Sequence, residues 1–288
     1  MTLDKRIQKD LSELYNGGAT PGVIQDALDL DGLIQAKPGQ TSFATKALPG
    51  YYAGNRKAKT VMVMLNPGQD VDEANSNLMC DILKRSMVNA GDVAGYHKWC
   101  QDYGHKDKSR HDNFDLKQAF FLHHWKGTGI ILPKNLCAKP KSDPQTLLDA
   151  KEAVLTQKLQ LELIPYASSS FTSFAKGKIS LVFPFVETLF DELFSQNRKY
   201  VIFCSRKFER VFKKYNKEHP GTIDFKGTVS QKINGSKING SCTKICIHYN
   251  SKSLDAIIAN TFPNQALPNA YDLMEEYGKF CYETYLSI

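Results

Sequence analysis

The chain has 288 residues, 42% of them hydrophobic and 23% charged, an ordinary globular composition that suits one large or two modest domains with a sizeable core. Its 37 Lys and Arg against 30 Asp and Glu give a net charge of +7, which favours a polyanionic partner but falls short of a histone-like charge and is equally compatible with a plain enzyme. No segment is long and apolar enough to span a bilayer, and "MTLDKRIQKDLSELY" places acids and lysines where a signal peptide needs an apolar stretch, so a cytoplasmic location and no membrane partner are expected. The seven cysteines sit mostly in apolar runs such as "VIFCSRKF" and "KICIHY", which points to buried reduced thiols rather than a disulfide framework.

Residues 4 to 35 read as helices, and residues 36 to 56, rich in Gly, Pro, Ser and Thr, as an irregular approach to a sheet. Apolar runs at 60 to 65, 159 to 165, 199 to 204 and 244 to 249, with a possible fifth at 255 to 261, predict strands. Helical patterns lie between them, including "DEANSNLMCDILKRSMVNAG", "DPQTLLDAKEAVLTQ", "LVFPFVETLFDELFSQ" and "KFERVFKKYNKE". Alternation of this kind implies parallel pairing through right-handed crossovers, hence a three-layer α/β/α sandwich around a mostly parallel four- or five-stranded sheet. Residues 88 to 137 form a polar insertion holding five of the seven histidines and both tryptophans. Residues 221 to 243 read as a β-hairpin with Asn-Gly turns, the two Asn-Gly-Ser triplets marking turns rather than glycosylation, and "NAYDLMEEYGKFCYETYL" reads as a closing amphipathic helix.

The run "TVMVMLNPGQD" ends a strand abruptly. Pro67 forbids continuation of the ladder and forces Asn66 into an extended conformation, while Gly68 lets a ligand approach the backbone. The Asn66 carboxamide is thereby presented at the mouth of the sheet, where it can orient a water or read a polar edge. An Asx-type turn at a strand end is the plainer reading of the tripeptide alone.

Together with its lead-in, "LPGYYAGNRKAKTVMVMLNPG" resembles the opening of the uracil-DNA glycosylase superfamily, in the branch with an Asn-Pro-Gly motif. The resemblance runs in element order from about residue 48 to the C-terminus, with residues 1 to 47 as a helical segment packed on that domain. It implies a glycosylase-like fold, DNA as partner, a flipped nucleotide, no cofactor and a monomer. By it, Asn66 places the attacking water, Pro67, Gly68 and Gln69 shape the substrate loop, and Asp70 stabilises the oxocarbenium. "AIIANTFPNQALPNAY" is similar to the second motif, a loop that enters the minor groove, and puts Phe262, Pro263, Asn264 and Gln265 there. Phe262 would wedge into the stack and Asn264 or Gln265 would support the leaving base. No histidine stands in that loop, and His248 is the competing candidate. "LQLELIPYASSSF" falls where the family reads the base. Tyr166 could stack on it and Ser168 could supply a hydroxyl, and the absence of an asparagine there speaks against uracil.

The implied activity is that of a monofunctional DNA glycosylase, since no lysine is placed as a Schiff-base nucleophile. The substrate leans to a bulky modified cytosine of phage DNA, as in antiviral defence. A uracil or mismatch repair enzyme and an inactive DNA-binding module of the same fold are the alternatives. Phosphate contacts would come from "NRKAK", "HKDKSRH" and above all Arg206 and Lys207, which follow a strand end. No Walker or Gly-x-Gly-x-x-Gly pattern occurs, and neither Cys242 and Cys246 nor His97, His105, His111, His123 and His124 show established metal-site spacing, so no metal is expected.

Overall fold

The computed structural model describes residues 1–16, 20–76, 91–102, 113–130, 144–233, 239–260 and 271–287. Its strands are Tyr52–Gly54 (β1), Thr60–Met64 (β2), Lys158–Glu162 (β3), Tyr200–Phe203 (β4), Ile223–Lys232 (β5), Asn239–Tyr249 (β6) and Lys252–Ala259 (β7). They form one mixed sheet in the order β1-β3-β2-β4-β7-β6-β5. The described helices are Leu3–Tyr15 (α1), Gln25–Asp29 (α2), Val71–Ser76 (α3), Val93–Asp102 (α4), Asn113–Leu122 (α5), Pro144–Gln157 (α6), Phe183–Phe194 (α7), Lys207–Glu218 (α8) and Tyr271–Leu286 (α9). Among the described residues no helix is long and apolar enough to cross a membrane.

The central strands β2 and β4 are buried along their whole length, as expected of parallel strands covered on both faces. Alternation sorts their side chains into two cores. Val61, Val63, Val201 and Phe203 pack with α1, α7 and α8 on one face. Met62, Met64, Tyr200 and Ile202 pack with α5 and α9 on the other. In α8 the buried residues Phe208, Val211, Phe212 and Tyr215 follow the spacing of a single helical stripe, which leaves its lysines to solvent. Helix α1 adds Ile7, Leu11 and Leu14 to the first core, so the N-terminal segment is part of the sandwich.

The sheet is wider than the expected four or five strands. β3, β2, β4 and β7 are parallel, and antiparallel strands extend the sheet on both sides: β1, which comes from the Leu48 lead-in, and the pair β6 and β5. The run 244 to 249 was expected among the parallel strands; it is the end of β6 and runs antiparallel to β7. Only Asn250 and Ser251 connect these two strands, at φ 49° and 61°. A two-residue turn with positive φ closes a hairpin, whereas a parallel neighbour needs a crossover of about a dozen residues. The expected hairpin at 221 to 243 is β5 with the first part of β6. Its first Asn-Gly, at 234 and 235, lies outside the described residues, and its second sits inside β6.

The described parts of the insertion pack into the rest of the fold. Tyr96 of α4 is fully buried, its hydroxyl donating to the Pro49 carbonyl (2.7 Å) and accepting from the Tyr51 N–H (3.0 Å). Helix α5 contributes Phe120 and Phe121 to the second core against α9. The five described cysteines are free and buried.

Candidate functional site

From β2 the chain crosses to β3 on one side of the sheet and to β4 and β7 on the other, so the order reverses between β2 and β4. In an open parallel sheet the crevice at the carboxyl ends beside such a reversal is where a ligand fits. Asn66 and its loop leave β2 there, and Arg206 and Lys207 leave β4 there.

Three stretches distant in sequence are stitched together at this edge. Gly68 and Ser168 form a parallel bridge, the Ser168 N–H donates to the Pro67 carbonyl (3.1 Å), and the Gly50 N–H donates to the Pro165 carbonyl (2.7 Å). A Cβ on Gly50 would stand 3.1 Å from Pro67 Cγ, a tight contact, so glycine there lets the lead-in lie close against the Asn-Pro-Gly loop. The Asn66 amide nitrogen donates to Ser168 Oγ (2.7 Å) and to the carbonyls of Pro67 (2.9 Å) and Tyr166 (3.3 Å). Carbonyls only accept, so these contacts fix which end of the carboxamide is the NH2. Its Oδ1 receives no hydrogen bond among the described residues and is left as an oriented acceptor at a half-buried position.

Asp70 has a different task. Its Oδ1 accepts from the N–H groups of Asp72 (3.0 Å) and Glu73 (3.4 Å), capping α3, and its Oδ2 accepts from Lys37 Nζ (2.6 Å) and Ser169 Oγ (3.0 Å). The bond from Lys37, then those from Ser169 and the helix N–H groups, hold its carboxyl down at about 2. It is therefore a fixed negative charge with its acceptors occupied, unsuited to taking a proton from water.

Two expected contacts are corrected by the structure. Tyr166 is 1% exposed, and its hydroxyl donates to Asp10 Oδ2 (2.9 Å) in the core, so it has no face to offer a base. His248 lies at the opposite edge: β6 is antiparallel to β7, and His248 pairs with Ser253 near the start of β7. There its ring meets Asp224 Oδ2 (3.1 Å) and Ser253 Oγ (2.8 Å). Ser168 supports Asn66 and is 2% exposed, whereas Gln69 is half-buried in the loop itself. Phe262, Pro263, Asn264 and Gln265 lie outside the described residues, as does "HKDKSRH". "NRKAK" precedes β2 and so lies at the far edge, where Arg56 pairs with Glu192 (2.5 Å) and Asp4 (2.8 Å).

Arg206 and Lys207 begin α8 at the carboxyl edge, where the helix dipole adds positive character. Arg206 is exposed. Lys207 lies over the Phe171 ring (5.8 Å), and Arg210 over Phe174 (6.0 Å), tying α8 to the 165 to 174 stretch. Burial, then the nearby Arg210, lowers the Lys207 pKa.

A further residue belongs to this edge. β3 reads Lys158, Gln160, Glu162 on one face and Leu159, Leu161 on the other. Lys158 donates to Gln118 and to Gln160 Oε1 (2.9 Å), and Gln160 donates to Glu162 Oε1 (2.8 Å). Glu162 is the last residue of β3, paired in register with Met64 of β2, two residues before Asn66. Its Oε2 is shielded and has no hydrogen-bond partner among the described residues. Burial pushes its carboxyl up to about 8 against the opposing effects of Gln160 and Lys158, so it is mainly protonated at neutral pH. The signal was present in "KLQLE": three polar residues at period two in a strand that must be covered on both faces.

Among the described residues, one group of possible metal ligands has suitable spacing: His123, His124 and Glu275. It lies away from this edge, since His123 and His124 are followed by Trp125 and Lys126, which pack on Tyr200 at the start of β4.

Protein-family models, curated proteins and solved structures give no match to the chain.

Proposed function

We propose that the chain is a monofunctional DNA glycosylase that hydrolyses the N-glycosidic bond of a flipped, non-canonical pyrimidine and leaves an abasic site. The observation that carries this reading is the Asn66 carboxamide, held by three acceptors at the sheet's reversal point with its oxygen free. The resemblance of residues 48 to 68 to the uracil-DNA glycosylase superfamily gives that geometry a chemistry.

In such a reaction the C1′–N bond breaks with its electron pair leaving on the base, and water adds to the sugar cation, releasing a proton to solvent. Asn66 Oδ1 accepts a hydrogen bond from that water and aims its oxygen. Asp70, ionised and fixed, adds negative potential near the developing cation. Glu162, protonated, would be the donor that meets the charge building on the base once the substrate uncovers its shielded Oε2. Arg206, with the α8 N-terminus, supplies phosphate attraction.

A bulky modified cytosine, of the kind phages install, is placed ahead of uracil because residues 163 to 168 contain no asparagine to read a uracil edge. A neutral carboxyl offers one donor and one acceptor and can pair with either pyrimidine, so the base is decided by experiment. Duplexes containing uracil, thymine mismatches, hydroxymethylcytosine or its glucosylated form are incubated with the protein and treated with alkali. Strand scission at one base, lost in Asn66→Ala, supports the proposal. Intact DNA binding without scission on any duplex favours the binding-module reading. Absence of both overturns the nucleic-acid reading.

A further inference from the structure

We infer that His123, His124 and Glu275 form a binding site for a transition-metal dication of the zinc class, joining the end of α5 to α9. The nearest approach, His124 Nε2 to Glu275 Oε1, is 2.9 Å, and His123 Nε2 stands 3.8 Å from the same oxygen. One ligand atom from each residue lies within 4.8 Å of the others. Ligand bonds of about 2.0–2.1 Å in a tetrahedron separate neighbouring donor atoms by about 3.4 Å, a value these two distances bracket. Both histidines thus stand near ligand spacing from the carboxylate, and the third pair lies within 4.8 Å, so side-chain rotation alone would close the set. Two imidazoles and one carboxylate are a zinc-type donor set with a fourth position left for water.

The backbone holds these ligands in place before any metal arrives. Trp125 is 2% exposed and donates its indole N–H to the Gly278 carbonyl (3.0 Å), fixing the residue after His124 one helical turn beyond Glu275. Gly278 makes the approach possible, because a Cβ there would stand 1.9 Å from the Phe121 carbonyl oxygen. The rings of Phe121 and Tyr277 complete the contact, with centroids 5.6 Å apart. His123 and His124 also follow the last turn of α5, whose carbonyl end favours a cation. Among the described residues His123 Nδ1 is buried without a hydrogen-bond partner.

The site is partly exposed, with side-chain exposures of 31%, 40% and 22%, so an ion can enter without unfolding. It is remote from the Asn66 edge, so the bound ion would join two helices of the second core rather than take part in catalysis.

The test uses the full chain, stripped with chelator and dialysed. Zinc is titrated calorimetrically and cobalt spectroscopically. The expected result is one equivalent of zinc bound at micromolar or tighter affinity, a tetrahedral cobalt absorption band and a melting temperature that rises with zinc. Glu275→Gln and His124→Ala should each weaken binding at least about tenfold. His124→Ala also removes a packing group, so the isosteric Glu275→Gln, compared with the parent in the metal-free state, separates ligation from folding. No binding at micromolar zinc overturns the site, as does binding that persists in a His123→Ala/His124→Ala chain, since the ion would then sit elsewhere.

Discussion

Two buried carboxyls, Asp10 and Glu162, make an instructive pair. Burial raises both, Asp10 to about 7 and Glu162 to about 8, and each keeps one oxygen without a partner. Their surroundings differ. Asp10 sits at 0% exposure and accepts hydroxyls from Tyr51 (2.8 Å) and Tyr166 (2.9 Å), a knot that ties α1 to the sheet's approach and to the 165 to 170 stretch. Glu162 ends a polar row at the tip of β3, beside the edge where Asn66 emerges, and the residue as a whole keeps partial exposure there although its Oε2 is shielded. A raised carboxyl therefore marks a functional candidate only where a ligand can reach it. The same knot explains why Tyr166, attractive as a stacking residue, is structural.

The largest effect should come from the open side of this comparison. Asn66→Ala removes the oriented acceptor, and turnover on the cleaved duplex should fall about 10²- to 10³-fold, while loss of its bonds to Ser168 and to the Pro67 and Tyr166 carbonyls should cost about 1 kcal/mol of stability. A variant that keeps full turnover would make Asn66 a turn residue and no more. On the enclosed side, Asp10→Ala leaves the hydroxyls of Tyr51 and Tyr166 without their acceptor and should cost about 3 kcal/mol in urea unfolding. Little loss there would mean that the knot is not what holds α1.

The pH dependence sharpens the pair. For both acids the folded chain binds the proton more tightly than the unfolded one. Their contribution to stability is complete below the ordinary carboxylate range and is lost as pH rises, through about 7 for Asp10 and about 8 for Glu162. The melting temperature should thus decline from about pH 4 to about pH 8, where both acids are ionised in the folded chain, and Glu162→Gln should flatten the last part of that decline, between about pH 7 and pH 8. Glu162→Gln should also reduce turnover by about tenfold, more at acidic pH than at alkaline pH, because the parent loses its donor as Glu162 ionises. An unchanged melting slope would assign the titration to another group.

Much of the sandwich was legible because its signals are local. "TVMVM" and "YVIF" are short, fully apolar and bounded by turn residues, and "KFERVFKKYNKE" has one stripe at helical spacing; each became the expected element. The direction of 244 to 249 was not legible, since an apolar run carries no orientation and only the Asn250-Ser251 turn sets it. At the site, Pro67 and Gly68 announced where the strand stops, which placed Asn66 at the edge. What Tyr166 and Asp70 do was hidden, because their partners Asp10 and Lys37 are 156 and 33 residues away. Glu162 was overlooked although "KLQLE" displays it, since an alternating strand is ordinarily read as one that faces water.

The smallest expected effect concerns the basic start of α8, where two adjacent residues differ in freedom. Arg206 keeps 56% of its side chain exposed and makes one ion pair along its own helix, with Glu209 at 3.4 Å. Lys207 is half-buried over Phe171. If this edge meets a phosphate backbone, Arg206→Ala should weaken DNA binding by about threefold and lower the salt slope by about one, leaving turnover at saturation unchanged. Lys207→Ala should show the same salt effect together with a small loss of stability, because its stem also packs. An Arg206→Ala chain with an unaltered salt slope would place the phosphate path elsewhere along the edge, and Lys207 would then count as a packing residue of the 165 to 174 stretch.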